Sequence, residues 1–120
     1  MPFSDEIKRK VWQKARTVPG HNEDMFRKDA CGAWIMWDKF GRQDHAFGWE
    51  IDHIYPKKLN GTDVLDNLRP LQHQNNASKA DDYPSYTAVV TAVGDQNIYS
   101  ERNLTVNASL RELLHRLYNQ

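Results

Sequence analysis

Three polar side chains in the middle of the chain, Asp52, His53 and Asn76, carry the chemistry that this sequence offers most clearly. Asp52 supplies a carboxylate oxygen and Asn76 an amide oxygen, and hard oxygen ligands are what Mg²⁺ or Mn²⁺ prefers. His53 supplies an imidazole, the side-chain type that takes a proton from water near neutrality. Two protein oxygens leave coordination positions for water and a phosphate oxygen. Together these groups suit metal-assisted hydrolysis of a phosphodiester.

The first element that must position these groups is a strand over residues 49–53. Pro56 ends its pairing, because proline has no N–H to donate. Neighbouring residues of a regular strand point to opposite faces of a sheet. Asp52 and His53 therefore serve one site only if the strand bends or ends beside them, and the proline three residues later favours such an end.

A turn, a second extended segment and a helix follow the strand. Asn60-Gly61 is a strong turn signal, and residues 65–71 predict the extended segment, interrupted by Pro70. Residues 72–80 contain neither glycine nor proline and predict a short helix. The helix and the end of the first strand can then face each other across a cleft.

On that helix, His73, Asn76 and Lys79 lie three residues apart and share one face. Asn75 would replace Asn76 as an oxygen ligand if the helix were rotated by one residue. The spacing leaves this alternative open.

Local patterns predict further elements on both sides of this stretch. Ser4 caps an N-terminal helix over residues 4–16, and Asn107 caps a C-terminal helix over residues 108–118. Apolar residues at helical spacing line one face of each helix: Ile7, Val11 and Ala15, then Leu110, Leu113, Leu114 and Leu117. Shorter segments are predicted as a helical turn at 23–29, a strand at 33–37, and a hairpin formed by 86–93 and 97–100.

Length and composition limit the class of protein. The chain has 120 residues, enough for a single domain, and its 16 basic and 16 acidic residues cancel. A single cysteine, Cys31, excludes an internal disulfide framework and a zinc site built on cysteine pairs; we expect it to be a small buried residue. No apolar run approaches the length of a membrane span. We expect a cytoplasmic protein, with export by a route without a signal peptide as the alternative.

Four segments of this stretch, in order, resemble the HNH endonuclease signature. They are WEIDHIYP at 49–56, NGTD at 60–63, DNLRPL at 66–71 and NNASK at 75–79. The resemblance covers about residues 30–82. It implies an α+β chain with a ββα-metal core, also called an HNH or His-Me finger, within one nuclease domain over residues 1–120. The N-terminal helix, an extra β-hairpin and the C-terminal helix would surround that core.

The resemblance also implies a role for each matching residue. His53 would be the general base that activates water, and Asp52 and Asn76 would hold one Mg²⁺ or Mn²⁺ ion. Asn67 would tie the loop together by hydrogen bonds and so fix the base. One large branch of the family binds a structural zinc through cysteine pairs. This chain lacks those pairs, so we expect no structural zinc and a core held by the packing of Trp34, Ile35, Trp37, Trp49 and Ile51.

Substrate contacts are expected from basic and polar side chains near the motif: His73, Lys79, Lys57 and Arg69. A second cluster of basic residues lies in the first helix: Lys8, Arg9, Lys10, Lys14 and Arg16. This cluster is either a phosphate-binding patch or a solvated helix face. The expected partner is DNA, with RNA as an alternative, and no membrane. The sequence does not determine the oligomeric state.

The function that the sequence supports best is a divalent-metal-dependent endonuclease acting on DNA. Two alternatives stay open. One is a nucleic-acid-binding module that keeps the fold without turnover, and the other is the same nuclease used as a toxin or effector.

Overall fold

The computed structural model describes residues 3–118, and its first element is helix α1, Asp5–Trp12. The side-chain oxygen of Ser4 accepts a hydrogen bond from the amide of Ile7 at 3.2 Å, so Ser4 is the N-cap, as predicted. The helix is four residues shorter at its C-terminal end than the predicted 4–16. The helix ends early because Arg16 pairs with Lys28 of the next element.

A short antiparallel hairpin comes next, formed by β1, Phe26–Lys28, and β2, Trp34–Met36. The backbone of Arg16 exchanges two hydrogen bonds of 2.9 Å with Lys28, which draws the chain out of α1 and aligns it with β1. The helical turn predicted at 23–29 is therefore wrong for residues 26–28, while residues 23–25 do form a turn, closed by the hydrogen bond of 2.8 Å from the Phe26 amide to the Asn22 carbonyl. Pairing between distant segments outweighs local propensity there, whereas β2 agrees with the strand predicted in its place.

The central unit is a strand–strand–helix arrangement. Strands β3, Trp49–His53, and β4, Leu68–Gln72, pair antiparallel along their whole length. Helix α2, His73–Lys79, follows β4 without a loop, because the Gln72 side chain caps it by accepting hydrogen bonds from two amides of its first turn. The predicted order of strand, turn, strand and helix is confirmed. The second extended segment starts later than predicted, after a 3₁₀ turn at Leu65–Asn67.

A longer hairpin packs against α2. Strand β5 spans Ser85–Val93, and β6 spans Gln96–Thr105. The predicted hairpin is confirmed, but its second strand is longer than the predicted 97–100. Each of the three hairpins in the described part of the chain is a separate two-stranded antiparallel sheet.

Helix α3, Ala108–Tyr118, is the last described element. The side-chain oxygen of Asn107 accepts a hydrogen bond from the Leu110 amide at 2.8 Å and caps the helix as predicted. Leu114 is fully buried, while Leu117 is 41% exposed, so the predicted leucine face packs at its centre and opens to solvent at its end. No helix in residues 3–118 is long and apolar enough to cross a membrane.

Two apolar clusters hold these elements together, and the alternation of side chains along the β3–β4 hairpin places them on its opposite faces. The first packs α1 on the hairpin: Val11, Trp12, Ala15, Ile35, Trp49 and Leu68. The second packs β5, the segment after β6, and α3 on the other face: Cys31, Ile54, Leu71, Tyr86, Ala88, Val106 and Leu114. Of the residues expected to hold the core, Trp37 and Ile51 lie at the margin of the first cluster. Trp34 is also buried, and its indole N–H donates to Gly94.

Cys31 is 2% exposed, and burial, reinforced by Asp29, raises the pKa of its thiol to about 12 from the 9.0 of a free thiol. Only the thiolate is nucleophilic. We therefore expect the native protein at pH 8 to react with a disulfide reagent such as DTNB roughly a thousandfold more slowly than the urea-unfolded chain. Stopped-flow absorbance of the released thiolate measures both rates. Equal rates would contradict the burial of Cys31.

Candidate active site

A cavity of about 260 Å³ lies where the C-terminal end of β3 meets the C-terminal half of α2. The predicted site residues Asp52, His53 and Asn76 all line it. Strand pairing ends at His53, so Asp52 and His53 border one cavity although they are neighbours in a strand. The other lining residues are Ile51, Pro56, Lys57, Ala80 and Asp81.

Asp52 is buried beside two cations. One carboxylate oxygen lies 2.9 Å from Nε of Arg69, and the other lies 3.2 Å from Nζ of Lys79. Only 4% of Asp52 is exposed. The carboxylate that the sequence offers as a metal ligand is thus also the counter-ion of two buried side chains.

Lys79 and Arg69 differ from our expectation that they contact substrate phosphate. Lys79 is 0% exposed and Arg69 is 8% exposed. The ammonium of Lys79 also donates to the backbone carbonyl of His53 at 3.2 Å, so it joins the end of α2 to the end of β3. Burial lowers the pKa of Lys79, and the Asp52 carboxylate partly opposes that shift. Both cations pair with Asp52 from inside the protein, and neither lines this cavity.

His53 extends from the last position of β3, with 20% of its side chain exposed. Its Nε2 lies 2.6 Å from Oδ1 of Asp63, a residue of the loop between β3 and β4. The hydrogen bond from His53 lowers the pKa of Asp63, and Lys57, 3.5 Å from the same oxygen, lowers it further. The ring of Phe3, just before α1, lies 6.1 Å from the imidazole. The imidazole is therefore held in place at the cavity and remains accessible.

The structure distinguishes the two asparagines that the sequence left as alternatives. Asn75 is fully buried: its amide nitrogen donates to Asp29 and Val90, and its oxygen accepts two amides of β5 at 2.8 Å each. Asn76 lines the cavity. Its nitrogen donates to Glu50 at 2.9 Å, and its oxygen accepts no hydrogen bond within the described chain. Asn76 is therefore the one with an available amide oxygen.

Asn67 spans the loop between β3 and β4 and is fully buried. Its side-chain nitrogen donates to the carbonyls of Tyr55 and Thr62, each at 3.0 Å, and its oxygen accepts the Tyr55 amide at 2.7 Å. These are loop-tying contacts of the kind that the resemblance implies. Gly61 lies inside the same loop, where a Cβ atom would come within 1.8 Å of the Tyr55 carbonyl oxygen, so glycine is required there.

His73 and Lys57 complete the set of expected substrate contacts. His73 lies in the first turn of α2, half-buried, with Nε2 3.1 Å from the carbonyl of His45, and it does not line the cavity. Lys57 does line the cavity, and its side chain is 60% exposed. Of the four expected contacts, Lys57 is thus the one that lines the cavity with an exposed side chain, and its ammonium also pairs with Asp63.

The basic cluster of the first helix is largely engaged within the protein. Lys8 pairs with Asp5 at 3.0 Å, and the guanidinium of Arg9 stacks 3.7 Å above the ring of Trp37. Lys14 donates to the backbone carbonyls of Leu65 and Leu68. The arrangement favours a helix face with local partners over a free phosphate-binding patch.

Asp29 is a structurally important residue that sequence reasoning missed. Its carboxylate accepts four hydrogen bonds, which join the β1–β2 turn to the junction of β4 and α2; the donors are Cys31, Ala33, Gln72 and Asn75. Burial raises the pKa of Asp29, and these donors oppose the rise. An aspartate shortly before a glycine is an ordinary turn signal, so no local pattern marks this one as buried.

The donor set fits a divalent cation held by few protein ligands. The cavity presents the free oxygen of Asn76 and the carboxylate of Asp52, whose oxygens keep lone pairs after each accepts one ion-pair partner. No group of three or more His, Cys, Asp or Glu side chains in residues 3–118 is arranged to hold a metal ion. These two oxygen donors are of the kind that Mg²⁺ uses in sites completed by water and substrate.

Comparison with protein-family models, with curated proteins and with solved structures finds no match for this chain. The case for a function therefore depends on the sequence motif and on the geometry of the cavity.

Proposed function

We propose that this protein is a divalent-metal-dependent endonuclease of the HNH type, with β3, β4 and α2 as its ββα-metal core. One observation carries the proposal: an imidazole, a free amide oxygen and a carboxylate, from His53, Asn76 and Asp52, line the same cavity. Strand β3 carries Asp52 and His53, helix α2 carries Asn76, and β3, β4 and α2 follow one another in the order that the motif implies.

The residues of this chain have distinct tasks in phosphodiester hydrolysis. His53 accepts a proton from the attacking water, since its ring is accessible and Nδ1 accepts no hydrogen bond within residues 3–118. Lys57, exposed at the rim, attracts the phosphate electrostatically. Lys79 fixes the ends of β3 and α2 relative to each other and so sets the width of the cavity.

Asp52 and Asn76 are the residues that would hold Mg²⁺ or Mn²⁺. When bound, such an ion polarises the phosphate and stabilises the leaving oxygen.

A nicking assay on supercoiled plasmid DNA tests the proposal. We expect the wild type to relax the plasmid with Mg²⁺ or Mn²⁺ and to lose this activity with EDTA. Asn76→Ala should lower the rate at a fixed subsaturating metal concentration by at least about tenfold, because even residues behind the metal ligands contribute that much. Asn103→Ala, an exposed asparagine on β6, is the matched control and should cleave like the wild type.

The second candidate is a DNA-binding module without turnover. It is favoured by the ion pairs of Asp52, because a carboxylate that already balances two buried cations is a poorer metal ligand. Retention of DNA in a gel-shift assay without any nicking by the wild type would support this candidate. Cleavage that persists unchanged in EDTA would exclude the metal-dependent reaction.

A further inference from the structure

The hydrogen bond between His53 and Asp63 connects the candidate base to a carboxylate ten residues later in the chain. At 2.6 Å from Nε2, the Asp63 oxygen is within charge-assisted hydrogen-bond distance. A carboxylate oxygen only accepts hydrogen bonds, so this contact requires the proton of the neutral ring to be on Nε2. The lone pair is then on Nδ1, the nitrogen available to a water molecule.

Asp63 is in turn positioned by its neighbour, Thr62. The hydroxyl oxygen of Tyr118 accepts the Thr62 amide at 3.1 Å and lies 2.8 Å from the Thr62 hydroxyl. The carbonyl of Thr62 accepts the Asn67 side chain at 3.0 Å. Thr62, the residue directly before Asp63, is thus held through its amide, its hydroxyl and its carbonyl.

Helix α3 reaches this loop through the same tyrosine. The ring of Tyr118 stacks on Tyr55, with centroids 4.9 Å apart and planes 16° from parallel. Tyr55 is two residues beyond His53, at the start of the loop. The C-terminal helix therefore contacts the loop at two points, near its beginning and immediately before Asp63. Both contacts are close in sequence to a residue of the His53–Asp63 hydrogen bond.

We propose that Asp63 is a positioning residue that selects the Nε2–H tautomer and the ring orientation of His53, and that Tyr118 of α3 holds the loop that carries Asp63. The role of His53 as a base rests on the proposed nuclease function. The tautomer of His53 and its dependence on Asp63 and Tyr118 are inferred from the contacts alone and do not rest on that function. This assigns a task at the active site to the C-terminal helix, which lies outside the core motif.

The direct test is the tautomer of His53, read from two-bond ¹⁵N–¹H correlations at about pH 9, where an unperturbed imidazole is neutral. Loss of one set of signals in His53→Ala assigns them. We expect the wild type to show Nε2–H almost entirely and Asp63→Ala to show a mixture of both tautomers. Tyr118→Phe should lie between the two. Asp66→Ala, which removes another exposed carboxylate of the loop, is the control and should retain the wild-type pattern.

Cleavage kinetics give the second measurement. Asp63→Ala should lower kcat by about 10- to 100-fold, as for residues that orient a metal ligand, with KM for DNA within about twofold. An Nδ1–H tautomer in the wild type, or a spectrum unchanged in Asp63→Ala, overturns the inference whether or not the protein cleaves DNA. An unchanged kcat in Asp63→Ala, beside an active wild type, overturns the positioning role and leaves the nuclease function intact. A wild type without cleavage refutes the proposed function. The tautomer spectra then still show whether the hydrogen bond to Asp63 selects the tautomer of His53.

Discussion

His53→Ala is expected to lower the rate of plasmid nicking by about 10²- to 10⁴-fold, the range that a positioned general base contributes. The loss follows from chemistry rather than from unfolding. The imidazole extends from the last residue of β3 to the rim of the cavity and belongs to neither apolar cluster. Circular dichroism and the unfolding midpoint of the variant should therefore stay close to those of the wild type.

His115→Ala is the matched control for this experiment. His115 is exposed on α3 and remote in sequence from the motif, so its removal should leave the nicking rate unchanged. If His53→Ala and the wild type nick at the same rate, His53 is not the base. If both histidine variants lose activity equally, the effect is not specific to the cavity.

Much of the central unit could be predicted from the sequence, because its signals are local. Strand β3 ends at His53, before Pro56, Asn60 adopts the left-handed conformation with φ of 75°, and the helix starts directly after Gln72. Each of these features depends on the backbone preferences of one or two residues. Periodicity and turn chemistry detect such features well.

The features that could not be predicted depend on contacts between distant residues. Strand β1 pairs along its length with β2, and Lys28 also pairs with the backbone of Arg16, which draws the chain out of α1. The Asp63 contact to His53 depends on how the loop closes, which is set by Asn67 and by Tyr118, 51 residues further on. No pattern in a short window reports either arrangement.

Lys79 shows most clearly how this limit affects a functional prediction. Helical spacing correctly places it on the same face of α2 as Asn76. That face turns toward β3, and a lysine on a buried face needs a counter-ion. Asp52 is that counter-ion. The motif residue expected to bind a metal and the residue expected to bind phosphate thus neutralise each other, and only the three-dimensional pairing reveals it.

This pairing gives the largest expected effect on stability. Asp52→Ala should lower the free energy of unfolding by about 3–5 kcal/mol, because it leaves Lys79 and Arg69 buried without their carboxylate. Urea unfolding followed by tryptophan fluorescence measures the change. Asp81→Ala is the control: Asp81 lines the same cavity but is exposed, so its removal should cost less than about 0.5 kcal/mol.

A double variant separates the loss of the carboxylate from the loss of its charge balance. Lys79→Met in the Asp52→Ala background removes one of the two stranded cations while keeping an apolar stem of similar length. If charge imbalance causes the destabilisation, the double variant should be more stable than Asp52→Ala alone, so the two changes should be clearly non-additive. A loss below about 1 kcal/mol in Asp52→Ala, or strictly additive losses in the double variant, would show that Asp52 does not stabilise the buried cations. Its carboxylate would then be free for the metal, and the ion pairs would not oppose binding.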